Sequence, residues 1–180
     1  MSEESKTTML VEAMKRLRVI EKRITANCGD ITRYSSMVST ERPQFESEEK
    51  QRSKVKSLVQ ANTDLVDEYL KLKTQIEFAN LMTIVEIGGT MYRISDLLVI
   101  KRKLAKLMQN TYAAMNTTEA DMRMRNVRSP EGQTPTVQRL YSEEERSKGL
   151  RKWQDLYDNI DSRLEVINAT TPLLIEIPSN

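Results

Sequence analysis

The chain has 180 residues, 28 Lys plus Arg against 26 Asp plus Glu, one Cys and no His, with 38% hydrophobic and 5% aromatic residues. A net charge of +2 excludes broad attraction to long nucleic acid, and the lone Cys28 with no His excludes both an intramolecular disulfide framework and ordinary zinc sites. The length suits one domain, 1–180, and high charge with few rings predicts a mainly α fold of long helices joined by thin seams of aliphatic and Met side chains.

The opening MSEESKTTMLVEAMKRL is acidic and polar where a secretory signal is basic and apolar, and no later run approaches the ~20 apolar residues of a membrane span. A cytoplasmic protein without a membrane partner is expected. Leu10, Ala13, Met14, Leu17, Ile20 and Ile24 recur at helical spacing, which predicts an amphipathic helix stopping near Cys28-Gly29. Asp30 to Ser47, with Pro43 and no steady period, reads as a connecting loop.

From Ser47 to Asn80, Val55, Asn62, Tyr69 and Ile76 alternate with Leu58, Leu65, Leu72 and Ala79 in a heptad seam. Such a seam fits either a coiled coil between copies, in which Asn62 would set register, or an antiparallel helix pair within one chain. In MTIVEIGGTMYRISD, Thr83, Val85 and Ile87 alternate with Ile84 and Glu86 before Gly88-Gly89, so a β-hairpin over about 83–94 is expected between the long helices. Ser95 or Asp96 can cap a third helix with its seam at Leu97, Ile100, Leu104, Leu107, Thr111 and Ala114, and with Lys101, Arg102, Lys103 and Lys106 on its other faces.

The stretch 122–140, MRMRNVRSPEGQTPTVQRL, breaks every period and reads as a basic loop. Ser142 followed by Glu145 forms a capping box, and Leu150, Trp153, Tyr157, Ile160, Leu164 and Ile167 make a last helical stripe that should end before Pro172. Leu173, Ile175 and Ile177 alternate in the tail, as in a strand that adds to the hairpin or to a neighbouring copy.

Catalysis finds little support: His is absent, Cys28 stands beside a glycine, and no phosphate loop or nucleophile elbow is present. Glu48-Glu49 and Glu143 to Glu145 sit at helix starts, where the dipole favours acids. No cofactor, no metal and no enzymatic activity are expected. The strongest binding cluster is Arg123, Arg125, Arg128 and Arg139 with Thr134 and Thr136, because guanidinium groups hold phosphate through paired, planar hydrogen bonds and hydroxyls add donors. Tyr92 and Arg93 on the hairpin could complete such a site by stacking on a base and pairing a phosphate. A basic surface loop that balances charge or bridges copies of the chain explains the arginines equally well, as cross-strand packing does Tyr92.

At VEIGGTMYRISDLLVIKRKL, preceded by DLVDEYLKLKTQIEFANLMT, the chain resembles a group of small tailed-phage proteins and the related bacterial septicolysin-like family. These pair a helical segment and an Asn-rich junction with an extended stretch ending in Ile-Gly-Gly and a basic helix start. LVEAMKRLRVIEKRI and LYDNIDSRLEVINATTPLL resemble the outer helices of the same group, whereas the loops around Pro43 and Pro130 have no counterpart. The resemblance implies a helical homo-oligomer of phage type, acting in the host-cell cytoplasm. It also implies a sponge role, in which a symmetric assembly sequesters a cyclic dinucleotide or similar anionic immune signal. A virion or assembly component is the alternative, and a membrane-active protein like septicolysin ranks last.

Overall fold

A computed structural model describes residues 8–126, 132 and 134–173 and is mainly helical with one small antiparallel sheet. The described residues fall into two compact units. The first holds residues up to Thr83 together with those from Val166 onward, and the second runs Ile84–Glu165.

In the first unit, α1 (Leu10–Tyr34) and α2 (Glu48–Met82) form an antiparallel pair. The Met9 N–H donates to the Glu12 carboxylate at 3.1 Å, and Ser47 Oγ accepts from the Lys50 N–H at 3.2 Å, so each start has a partner for an orphan backbone or side-chain donor. Leu10, Ala13, Leu17 and Ile20 are buried, as are Leu58, Ile76 and Ala79 of α2. The heptad seam read from the sequence is therefore the inner face of α2, and its partners are α1 residues of the same chain. Asn27 Nδ2 donates to Asn62 Oδ1 at 2.8 Å, the Tyr69 hydroxyl donates to Glu21 at 3.0 Å, and Arg16 Nε meets Glu68 at 2.7 Å.

The expected stop at Cys28-Gly29 is corrected: α1 continues to Tyr34. Gly costs about 1 kcal/mol in a helix interior relative to Ala. Burial outweighs it, because Ile24, Asn27, Ile31 and Tyr34 extend the inner spacing and are all partly covered. Beyond Tyr34 the chain turns back, with the Tyr34 and Phe45 rings edge to face at 4.9 Å. Gln51, buried, ties this end together, donating to the Tyr34 carbonyl at 2.9 Å and accepting from the Gln44 N–H at 3.0 Å. The stretch after α6 also belongs to this unit. Leu10 N–H donates to the Thr171 carbonyl at 2.9 Å and Leu173 N–H to Thr8 at 2.7 Å, so Leu173 pairs with the chain's first described residues rather than with the hairpin. Ile175 and Ile177 lie outside the described residues.

The second unit opens with the expected hairpin: β1 (Ile84–Ile87) pairs antiparallel with β2 (Thr90–Arg93), Ile87 opposite Thr90. Gly88 (φ 58°) and Gly89 (φ 79°) form the turn between them, and two positive φ values in succession are the geometry that matches strand twist and favours glycine. Helix α3 (Ile94–Val99) is preceded by Arg93 at the cap position, so it starts two residues earlier than a Ser95 cap allows and three earlier than an Asp96 cap. Asp96 sits in its first turn and accepts from the Arg93 N–H at 3.3 Å, so it closes the helix start from inside.

A π-turn, Ile100–Leu104, follows, and then α4 (Ala105–Ala113). The π-turn moves the predicted seam. Leu97 and Ile100 are buried as expected, but Leu104 and Leu107 are 40% and 49% exposed, while Ala105 is fully buried and Met108 and Tyr112 are half-buried. One extra residue in the turn rotates everything after it by about 100°, one residue's share of a 3.6-residue helical turn. Another correction concerns the basic loop, whose first residues form the end of α5 (Thr118–Met124). Helix α6 (Glu143–Thr170) has the expected cap, Ser142 Oγ accepting from the Glu145 N–H at 3.2 Å, and ends before Pro172. Its predicted stripe holds, with Ile160, Leu164 and Ile167 buried and Leu150, Trp153 and Tyr157 half-buried.

Candidate functional site

The residues singled out in the sequence occupy separate elements. Tyr92 lies on β2 opposite Val85 and is half-buried, and Arg93 at the strand end is exposed. Arg123 is exposed in the last turn of α5, its Nε donating to the Glu119 carbonyl at 3.3 Å, and Arg125 is exposed just beyond. Thr134, Thr136 and Arg139 are exposed along a stretch without regular structure, and Arg128 lies outside the described residues. Among the described residues, no hydrogen bond or ion pair joins these side chains to one another.

The cation-bearing cleft that does form lies between α4 and α6 and was not anticipated. Three contacts set these elements antiparallel: Lys101 pairs with Asp161, Gln109 donates to Gln154 at 3.1 Å, and the Tyr112 ring lies on Gly149. A Cβ added at Gly149 would overlap that ring, so the absence of a side chain there lets α4 and α6 approach. Beside this contact, Lys106, Asn110 and Arg151 rim a cleft of about 320 Å³ whose apolar lining comes from Ala113 and Leu150. Gln154 passes its own amide hydrogens to Asp158 at 3.0 and 3.1 Å and accepts from Gln109, so the donors of both glutamines are engaged. That leaves Lys106, Arg151 and the Asn110 amide to meet a guest. The sequence signal for it was a spacing: Lys106 and Asn110 lie one turn apart on one side of α4, as do Leu150 and Gln154 on α6.

Two clefts of the first unit differ in chemistry. One, about 420 Å³, lies over Ala26, Ala61 and Leu65 with Arg23, Asp64 and Glu68 at its rim. There the Arg16 guanidinium, hydrogen-bonded to Glu68, holds that carboxyl below its ordinary range, with a further contribution from Arg23. The other, about 400 Å³, gathers Ser35, Ser36 and Ser39 with Glu48 and Arg52 around Gln51. Both rims carry charges of both signs, whereas Lys106 and Arg151 face a cleft lined by no acid. No family model, curated protein or solved structure matches the chain. Among the described residues, no helix is long and apolar enough to cross a membrane.

Proposed function

We propose that this is a non-enzymatic, self-assembling helical protein that holds a small anionic nucleotide, as a phage-type sponge for cyclic dinucleotide signals does. The observation that carries the reading is the α4–α6 cleft, which Lys106 and Arg151 line together with the apolar Ala113 and Leu150 and the amides of Gln109, Asn110 and Gln154. A phosphate takes paired hydrogen bonds from the guanidinium and a point charge from the ammonium, while Leu150 and Ala113 offer a surface for a base. The exposed Arg123, Arg125 and Arg139 add guanidinium groups that a neighbouring copy could present to the same guest.

Calorimetry with cyclic di-GMP, cyclic di-AMP and cyclic GMP-AMP tests it. Each charge-assisted contact contributes ~1.5–3 kcal/mol, so Lys106→Ala or Arg151→Ala alone should weaken binding roughly ten- to a hundredfold. Arg151→Lys should fall between, because it keeps the charge and loses the fork. A wild-type protein that binds none of the three overturns the reading.

A second reading, a structural component of a virion or assembly complex, is favoured by Val59, Val66 and Leu70, which are 50%, 45% and 58% exposed along one outer side of α2. Native mass spectrometry without nucleotide separates the two: a defined oligomer that Val66→Asp dissolves, in a protein that binds no nucleotide, supports the structural role.

A further inference from the structure

We infer that the π-turn Ile100–Leu104 is a register switch, which holds one of two apolar faces of the following helix inward and so assembles or dismantles the α4–α6 cleft. In the turn, the Ala105 N–H donates to the Ile100 carbonyl, five residues back, where an α-helix would reach back four. The sequence does not break there. Leu97, Ile100, Leu104, Leu107, Thr111 and Ala114 keep three- and four-residue steps throughout, so an uninterrupted α-helix continuing from buried Leu97 and Ile100 would turn Leu104 and Leu107 inward.

The extra residue substitutes a second face, offset by one position: Ala105, Met108, Tyr112 and Met115, of which Ala105 is fully buried and the others half-buried. Both faces are apolar enough to pack. The segment is thus written twice over, once for each register, and the π-turn selects between them. Two contacts hold the observed choice: Lys101 within the turn pairs with Asp161, and the Tyr112 ring occupies the space left by Gly149. In the other register Thr111, not Tyr112, would face that space.

The cleft depends on the choice because its two walls lie on different sides of the switch. Lys106, Gln109 and Asn110 follow the π-turn, while Leu150, Arg151 and Gln154 are on α6. Relaxing the turn to α would swing Lys106 and Gln109 by about 100° away from Arg151 and Gln154, parting the two cations that would share a phosphate. A guest bound between them therefore favours the π register by its differential affinity. This coupling rests on the anion-site reading above; the two registers do not.

The registers are tested without ligand by thermal unfolding. Deleting Lys103 removes the extra residue and leaves Ala105, Met108 and Tyr112 inward with no alternative face. Ala105→Glu should then melt much lower in the deletion chain, because the charge is trapped in the interior, and fall by less than half as much in the full chain, where the helix escapes to the Leu104–Leu107 face. Adding Leu107→Glu to Ala105→Glu in the full chain closes the escape and should lower melting by far more than the two single drops combined. Equal drops with and without the deletion, or strict additivity of the pair in the full chain, overturns the switch. The second comparison stands even if the deletion chain does not fold. Where a cyclic dinucleotide binds the wild type, Ala105→Glu should abolish that binding while the protein stays helical, and retained binding overturns the coupling. Absence of binding by the wild type removes the anion-site reading and leaves the melting result to decide the registers.

Discussion

Replacing Gly149 by alanine should weaken the second unit even though alanine is the better helix former. Gly149 lies inside α6, and in an unhindered helix interior the exchange would stabilise by about 1 kcal/mol. Here the added methyl overlaps the Tyr112 ring. If the ring stays, overpacking costs ~1–3 kcal/mol. If it swings out, the half-buried ring gives up part of the ~1.5–3 kcal/mol that full burial of such a side chain contributes. Either route cancels or exceeds the propensity gain and leaves a net destabilisation of up to ~2 kcal/mol. With Tyr112→Ala already in place the obstruction is gone, and Gly149→Ala should stabilise. Urea unfolding of the wild type, both single variants and the double closes the cycle, with a coupling of roughly 1–3 kcal/mol expected. A stabilisation of equal size in both backgrounds would refute the close approach of α4 and α6 through this glycine.

Asn62→Leu should cost on the order of 1 kcal/mol by stranding the Asn27 amide, and Asn27→Leu/Asn62→Leu should recover most of it; equal losses in single and double variants, measured by urea unfolding, would separate the two residues. Ile160→Asp places a charge at a position with no solvent exposure and should lose several kcal/mol, seen as loss of helical circular dichroism; a fully helical variant would misplace that face. The Tyr69 hydroxyl, donating to Glu21, has its pKa raised above its ordinary value, so its stabilising contribution is complete below about pH 10 and is lost as pH rises further. The Glu68 carboxyl is held low by Arg16, so its contribution is present above the ordinary carboxylate range and is lost as pH falls through its lowered pKa. Tyr69→Phe should flatten the alkaline limb and Glu68→Gln the acid limb of stability against pH.

Periodicity carried the sequence reading where helices are regular. The α2 seam, the α6 stripe with its Ser142 cap and the Gly88-Gly89 hairpin are all legible because each depends on residues within a turn or two of one another. Whether the α2 seam packs on α1 or on another copy was not legible, since both arrangements bury the same positions; the Asn27 and Glu21 contacts decide it for this face. The cleft escaped notice for a related reason. Lys106 looked like one of several cations on the outer faces of its helix, and only the antiparallel setting of α6, which Gly149 permits, brings Arg151 to the same cleft. The π-turn was illegible because the residues around it continue an unbroken α period, so local pattern and packing give different answers for Leu104 and Leu107.

The backbone pairing of Leu10 with Thr171 and of Thr8 with Leu173 also governs when the first unit can be finished. During synthesis α1 and α2 emerge first, yet the strand-like partner for the start of α1, at Thr171, is encoded after both of them and after the whole second unit. At ~5–20 residues per second, the Leu10 N–H waits on the order of ten seconds or more for its acceptor. Through that interval the half-made unit has the backbone at the start of α1 unpaired, and it is then that a chaperone or a second nascent chain would find it.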